Sequence, residues 1–138
     1  MIIDSSVLIR LERNIGGAQP DFASVLPGPG YVSIVTVAEL WVGVFRADTD
    51  ARRNSREEFL TRVSRTLGVL PFDLAEAREF GRLYAHLQTS GQMIGERDLQ
   101  IAATAIANGH ELMTLNLREF ERIPGLTLRP YQGPEIRS

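Results

Sequence analysis

The sequence predicts an α/β fold with a mainly parallel central sheet, because short apolar runs alternate with amphipathic segments along the chain. Residues 31–35 form an apolar run without alternation, which is typical of a strand buried on both faces. Residues 96–108 are rich in alanine and are followed by Gly109, a frequent residue at helix C-termini. The length of 138 residues favours one domain, 1–138, with a loose polar tail from about residue 129 to 138.

The first half of the chain predicts three strands and three helices. Residues 1–3 are an apolar strand that leads to Asp4, where the chain turns into a first helix. After the strand at 31–35, residues 37–45 predict a helix that is apolar on most faces. Residues 50–67 are rich in arginine and glutamate with one apolar side, which indicates an amphipathic helix. Residues 69–72 predict a short strand, and Pro71 favours an edge position because proline cannot donate a ladder hydrogen bond.

The second half predicts three more helices and two strands. Residues 75–88 carry apolar side chains at spacings of three and four, which is the helical period. The alanine-rich helix at 96–108 follows. Residues 112–114 then predict a buried strand, residues 117–123 a short helix, and residues 126–128 a last strand.

The charged residues exclude several functions. The net charge of −2 argues against a general nucleic-acid binder, but an enzyme that reaches phosphate through bound cations does not need a basic surface. All 15 basic residues are arginine, so a P-loop and lysine-based catalysis are excluded. The chain has no cysteine, which excludes thiolate metal sites and fits a cytoplasmic protein. No apolar stretch is long enough to span a membrane, and we expect no membrane partner.

Acceptor side chains follow the predicted strands at the edge where parallel sheets bind ligands. Asp4 follows the first strand, Glu39 the second, and Asp98 opens the alanine-rich helix. Asn116 and Glu119 follow the strand at 112–114. The two histidines lie elsewhere in the chain, so the site offers oxygen ligands, which suit Mg²⁺ or Mn²⁺ rather than zinc.

Each of these acids also has a purely structural interpretation. Asp4 is suited to cap the next helix, and Thr36 and Glu39 have the spacing of a capping box. Asp98 is favoured by the helix dipole, and Glu119 resembles ordinary surface charge. Several carboxylates at one sheet edge are harder to explain in this way, because they repel one another and raise each other's pKa. A divalent cation would relieve that repulsion.

Four motifs together resemble those of PIN-domain toxins of the VapC type, in order and spacing, from residue 2 to about 130. They are Ile3-Asp4-Ser5-Ser6, Thr36-x-Ala38-Glu39-Leu40, Asp98-x-x-Ile101-Ala102-Ala103-x-Ala105 and Thr114-x-Asn116-x-x-Glu119-Phe120. The last two are the more specific. The resemblance implies a three-layer α/β/α sandwich, ribonuclease activity, a Mg²⁺ or Mn²⁺ requirement and a small VapB-like antitoxin that blocks the site.

We therefore expect Asp4, Glu39, Asp98 and Glu119 to be catalytic residues and metal ligands, with Asn116 as a further metal ligand. Asp4 and Asp98 are expected to matter most, because short carboxylates at element ends hold a cation at little entropic cost. Many members of the family carry aspartate in the last motif. Whether Asn116 or Glu119 fills the fourth ligand position is therefore open, as is the number of metals.

Two other functions remain as alternatives. One is a non-catalytic protein-interaction module that uses the apolar helix around Trp41. The other is an aspartate-based phosphoryl-transfer domain, which is disfavoured because lysine is absent and Ser6 stands where the phosphatases need a second aspartate.

We further expect a homodimer bound by the antitoxin, with part of the helix from Val37 to Phe45 at an interface. Its RNA target is not predicted.

Overall fold

Eleven elements are formed by residues 1–14, 26 and 28–131, which the computed structural model describes. The strands are β1 (Ile2–Ile3), β2 (Tyr31–Ser33), β3 (Gly68–Leu70), β4 (Leu112–Thr114) and β5 (Leu128–Pro130). The helices are α1 (Ser5–Asn14), α2 (Ile34–Phe45), α3 (Asp50–Thr66), α4 (Leu74–Ser90), α5 (Glu96–Ala107) and α6 (Leu117–Phe120). Gly109 has a φ of +66° just beyond α5, as its predicted role at the helix end requires.

The five strands form one parallel sheet in the order β3-β2-β1-β4-β5. Ile2 of the central strand lies opposite Tyr31 of β2 on one side and Leu112 of β4 on the other. The parallel sheet predicted from the sequence is therefore confirmed. β3 lies at an edge, as Pro71 suggested, although the strand ends one residue before that proline.

Successive side chains of a strand point to opposite faces of the sheet. Both faces therefore carry apolar side chains, and helices cover each of them. Ile3 packs with α1, α2 and α3, where Leu8, Leu40 and Leu60 are buried. Ile2 packs with the second group, α4, α5 and α6, and its buried residues include Leu83, Leu99, Ile101 and Phe120. These two cores make the three-layer α/β/α sandwich. No helix in the described ranges is long and apolar enough to cross a bilayer.

The boundary between β2 and α2 differs from the prediction. The strand ends at Ser33, whose side-chain oxygen accepts a hydrogen bond from the backbone N–H of Val35 at 3.1 Å and caps α2. Ile34 and Val35 therefore begin the helix instead of extending the strand. The predicted capping box is wrong for the same reason: Thr36 lies inside α2, and Glu39 lies in its second turn.

The last strand is also displaced from its predicted position. β5 comprises Leu128–Pro130 rather than residues 126–128, because Leu128 pairs with Leu112 and Pro130 with Thr114. Arg129, expected in a loose tail, is instead part of the sheet and bonds to Glu111 at 2.9 Å. Residues 132–138 of the expected tail lie outside the described residues. The predicted helix at 117–123 ends at Phe120.

We predict that Ser33→Ala destabilises the protein by about 1 kcal/mol, because the first turn of α2 loses the cap that the buried Ser33 hydroxyl supplies. Thermal unfolding should show a fall in Tm of about 4 °C. Ser64→Ala, at an exposed position inside α3, is the control and should change stability by less than about 0.5 kcal/mol. An equal Tm for Ser33→Ala and Ser64→Ala would contradict the assigned cap.

Candidate functional site

Asp4 lies directly after the central strand, and only 1% of its surface is exposed. Its Oδ2 accepts hydrogen bonds from the hydroxyl of Ser6 at 2.7 Å and of Thr114 at 2.8 Å. Its Oδ1 accepts the backbone N–H of Ser5 at 2.9 Å. These bonds offset the cost of burying the carboxylate. An ionised carboxylate has about four acceptor sites, so three bonds leave capacity for one more ligand.

The same hydroxyls connect Asp4 to the loop after β4. The Thr114 hydroxyl accepts the backbone N–H of Asn116 at 2.9 Å, and the Ser6 hydroxyl accepts that of Leu115 at 3.1 Å. The Asp4 N–H also donates to the carbonyl of Met113 at 2.9 Å. The first and last sequence motifs are thus held at one point, although Asp4 and Thr114 are 110 positions apart.

Glu39 projects from α2 into the same region, with 13% of its side chain exposed. Its Oε2 lies 2.7 Å from Nη1 of Arg97, whereas its Oε1 is buried and has no hydrogen-bond partner among the residues that the structure describes. Burial raises the pKa of Glu39, and the nearby charge of Asp4 adds to this rise. Arg97 and the Ser5 side chain oppose it. The contacts of Glu39 therefore offset only part of the cost of burying its negative charge.

Asp98 lies in the first turn of α5, as predicted. Partial burial raises the pKa of Asp98 to about 6, and the charges of Asp4, Glu39 and Glu119 each contribute to the rise. Arg97 opposes it. Four acids from four separate parts of the sequence thus act on one another electrostatically, as the arrangement at one sheet edge predicts.

A cleft of about 760 Å³ opens at this edge of the sheet. Its walls include Glu39, Asp98 and Asn116, together with Ser5 and Ser6 beside the buried Asp4. The Asn116 side chain does not cap α6. Glu119 is not among the lining residues and acts on the site through its charge on Asp98. The structure therefore brings Asn116 to the cleft more directly than Glu119.

The donor set fits a divalent cation that prefers oxygen ligands. The free Oε1 of Glu39 and the mutual repulsion that raises the pKa of Asp98 are both relieved by added positive charge. In the described ranges, no three acidic or histidine side chains are already arranged as a complete set of metal ligands. The ion pair of Glu39 with Arg97 occupies one of the oxygens such a set would use.

The two histidines lie away from the cleft. His86 is exposed on α4. His110 stacks on Tyr31 beside the amino-terminal ends of β2 and β4, and the centroids of the two rings are 4.6 Å apart. Arg97, in contrast, lines the cleft but was not selected from the sequence. Its contact with Glu39 joins two helices that are distant in sequence, so sequence pattern does not indicate this contact. The one signal in the sequence is that Arg97 directly precedes Asp98.

The apolar helix α2 is buried on one side and exposed on the other. Leu40 and Val44 belong to the core, whereas Trp41 is 38% and Phe45 71% exposed. The rings of Trp41 and Phe45 stack with centroids 5.7 Å apart. This exposed apolar surface agrees with the expectation that part of the helix contributes to an interface.

The arginine-rich segment between residues 46 and 65 is a solvated face with local ion pairs. Arg52 contacts Asp48 and Arg53 contacts Asp50; the side chains of Arg52, Asp48 and Asp50 are largely exposed, and that of Arg53 is partly exposed. Such pairs contribute little to stability.

The sequence and the fold were compared with known proteins. Residues 1–126 match the PIN domain family. The chain is 36% identical over 126 residues to Ribonuclease VapC1 of Rickettsia felis, covering 91% of this chain and 92% of that protein.

Two solved structures have the same fold. VapBC2 from Rickettsia felis, bound to a DNA fragment from their promoter, has a TM-score of 0.80 and 25% identity, covering 94% of this chain and 97% of that chain. VapBC-5 from Mycobacterium tuberculosis, a member of the VapBC family of toxin-antitoxin systems, has a TM-score of 0.73 and 30% identity, covering 96% and 97%. The resemblance found in the four motifs is thus confirmed, and the chain belongs to the PIN-domain family and, within it, to the VapC proteins.

Proposed function

We propose that the protein is an endoribonuclease that hydrolyses RNA phosphodiester bonds with Mg²⁺ or Mn²⁺ and is the toxin of a toxin–antitoxin pair. The observation that carries the proposal is the convergence of Glu39 and Asp98 on one cleft beside the buried Asp4. The raised pKa of Asp98, caused by burial and by the charges of Asp4, Glu39 and Glu119, supports it. The ribonuclease name of the similar Rickettsia protein supports the reaction. The acidic cleft supports the need for a cation, because carboxylates alone repel the phosphates of RNA.

Asp4, Glu39 and Asp98 would hold the cation, with Asn116 or Glu119 as the fourth ligand residue. A bound divalent cation supplies charge that lowers the pKa of water and neutralises the phosphate. The hydroxyls of Ser6 and Thr114 fix the orientation of Asp4 and so restrict where a ligand can meet its carboxylate. Asn116 offers a neutral oxygen at the cleft wall, whereas Glu119 offers a negative charge further away.

Asp98 is also suited to accept a proton from the attacking water. In the metal-free protein, the pKa of about 6 makes its carboxylate a stronger base than that of an ordinary aspartate. In hydrolysis, the water oxygen bonds to phosphorus as the bond from phosphorus to the 3′-oxygen breaks; a proton of the water passes to the Asp98 carboxylate, and the 3′-oxygen takes up a proton from solvent. In this scheme Asp98 would accept the proton through an oxygen that does not hold the cation, whereas Asp4 and Glu39 would act only as ligands.

The partners follow from the same reasoning. Similarity to structures of toxin–antitoxin complexes supports a small antitoxin as the protein partner. The exposed apolar side chains of α2, which include Trp41, Val42 and Phe45, offer a surface for it. We further propose a homodimer, since an apolar surface of this kind is unfavourable on a chain that remains alone.

We predict that the purified protein cleaves RNA with Mg²⁺ or Mn²⁺, that excess EDTA abolishes cleavage, and that either metal restores it. Asp98→Asn keeps the shape of the side chain but removes its charge and its basicity, and should lower cleavage by at least about 100-fold. Electrophoresis of a labelled RNA measures both effects. Full cleavage in excess EDTA would contradict the metal requirement, and full activity of Asp98→Asn would favour a non-catalytic role for the cleft.

We predict that the metal-free protein becomes less stable as the pH rises from about 4 to about 6. The pKa of Asp98 is raised from 3.8 to about 6 on folding, so in this window the folded state binds more protons than the unfolded state. Stability from this group is therefore fully present below pH 4 and lost above pH 6. Allowing for solvent screening, the loss is on the order of 1 kcal/mol, or about 4 °C in Tm.

Thermal unfolding in EDTA across this pH range measures the loss. The Asp98→Asn variant is the control. Its stability should depend less on pH, because it lacks the Asp98 carboxyl group and therefore the raised pKa of that group. Glu39, whose pKa is also raised, contributes in the same direction and remains in the variant. Identical pH profiles for the two proteins would show that Asp98 is not under electrostatic strain.

A further inference from the structure

Arg97 lies at the cleft between two of the proposed metal ligands. It precedes Asp98 in the first turn of α5, and its Nη1 contacts Oε2 of Glu39 in α2 at 2.7 Å. The Arg97 side chain is 61% exposed, whereas that of Glu39 is only 13% exposed. An arginine free to remain in water thus reaches a mostly buried carboxylate on another helix.

The charge of Arg97 acts on the cleft as a whole. It lowers the pKa of Glu39 and of Asp98, against the burial and the like charges that raise them. Without it, Glu39 would be a largely buried charge whose Oε2 also lacks its ion pair, beside the negative charge of Asp4. Leaving such a group without a partner is costly.

We propose that Arg97 is an internal counter-ion of the cleft, which neutralises Glu39 in the metal-free protein and competes with the divalent cation for it. This inference rests on the proposed metal-dependent function. Two physical effects act in the same direction. Arg97 occupies Oε2 of Glu39, so a metal must share or displace Arg97 to bind that oxygen, and the positive charge of Arg97 repels a cation nearby. Arg97 therefore holds the metal affinity of the site below the level that its carboxylates alone would give.

A different role for Arg97 is that of a simple link between α2 and α5. Such a link would stabilise the protein equally with and without metal and would leave the metal affinity unchanged. The counter-ion role instead predicts that the benefit of Arg97 is present without metal and disappears when metal is bound. Measuring the metal affinity, together with the stability in the presence and absence of metal, therefore separates the two roles.

The test compares the wild-type chain with Arg97→Gln, using Mn²⁺ as the probe. Calorimetric titration of metal-stripped protein should show Mn²⁺ binding that is about three- to tenfold tighter in Arg97→Gln. Its Tm in EDTA should be lower than that of the wild type, and this difference should vanish or reverse in saturating Mn²⁺. Arg97→Lys keeps the charge but lacks the planar fork, so its affinity should lie between the two.

Arg82→Gln is a matched control. Arg82 pairs with Glu79 at 2.8 Å on α4, outside the cleft, with side-chain exposures of 52% and 19%. Its loss should leave Mn²⁺ affinity unchanged and affect Tm equally in EDTA and in Mn²⁺.

Unchanged or weaker Mn²⁺ binding by Arg97→Gln would overturn the inference, as would a Tm loss that is the same with and without metal. If Arg97→Gln does not fold in EDTA, Arg97→Lys decides: affinity equal to or weaker than that of the wild type would also overturn it. Absence of Mn²⁺ binding by the wild type would overturn the proposed function itself. A wild type that binds Mn²⁺ as tightly as Arg97→Gln would overturn the role of Arg97 alone.

Discussion

The buried carboxylate of Asp4 is the constraint on which the rest of the site depends. A charge at 1% exposure is tolerated only if its oxygens are bonded, and three bonds to Ser5, Ser6 and Thr114 meet that need. Because Asp4 ends the central strand, these bonds also fix the start of α1 and the loop after β4. The fold and the cleft are therefore built around the same group.

The parallel sheet also creates electrostatic strain. It gathers acids from α2, α5 and the segment after β4 around Asp4, and burial with like charge raises the pKa of Asp98 to about 6. Arg97 offsets part of the strain through its contact with Glu39. A protein selected for stability alone would not place these acids together, so their convergence is best understood as the basis of cation binding.

The sequence predicted those features that local pattern determines. Asp4 could be placed because it follows an apolar strand, and Asp98 because it lies in the first turn of the alanine-rich helix. The predicted strand at 31–35 includes Ser33 correctly but extends two residues too far, because serine fits both a buried strand and a helix cap and only its bond to Val35 shows that α2 begins at Ile34. β5 was shifted because the pairing of Pro130 with Thr114 outweighs the local signal of a proline. The role of Arg97 is not predicted, because its partner Glu39 lies on another helix and its position before Asp98 does not by itself indicate that contact.

The most direct test of the account is the position of a bound cation in the crystal. Anomalous diffraction from crystals grown with Mn²⁺ should show a peak in the cleft, with Asp4 and Asp98 among its oxygen ligands. Glu39 should also contact the ion, with its pair to Arg97 opened. A saturating Mn²⁺ concentration that gives no peak in the cleft, or one only at a distant surface, would contradict the claim that the acidic cleft is a metal site.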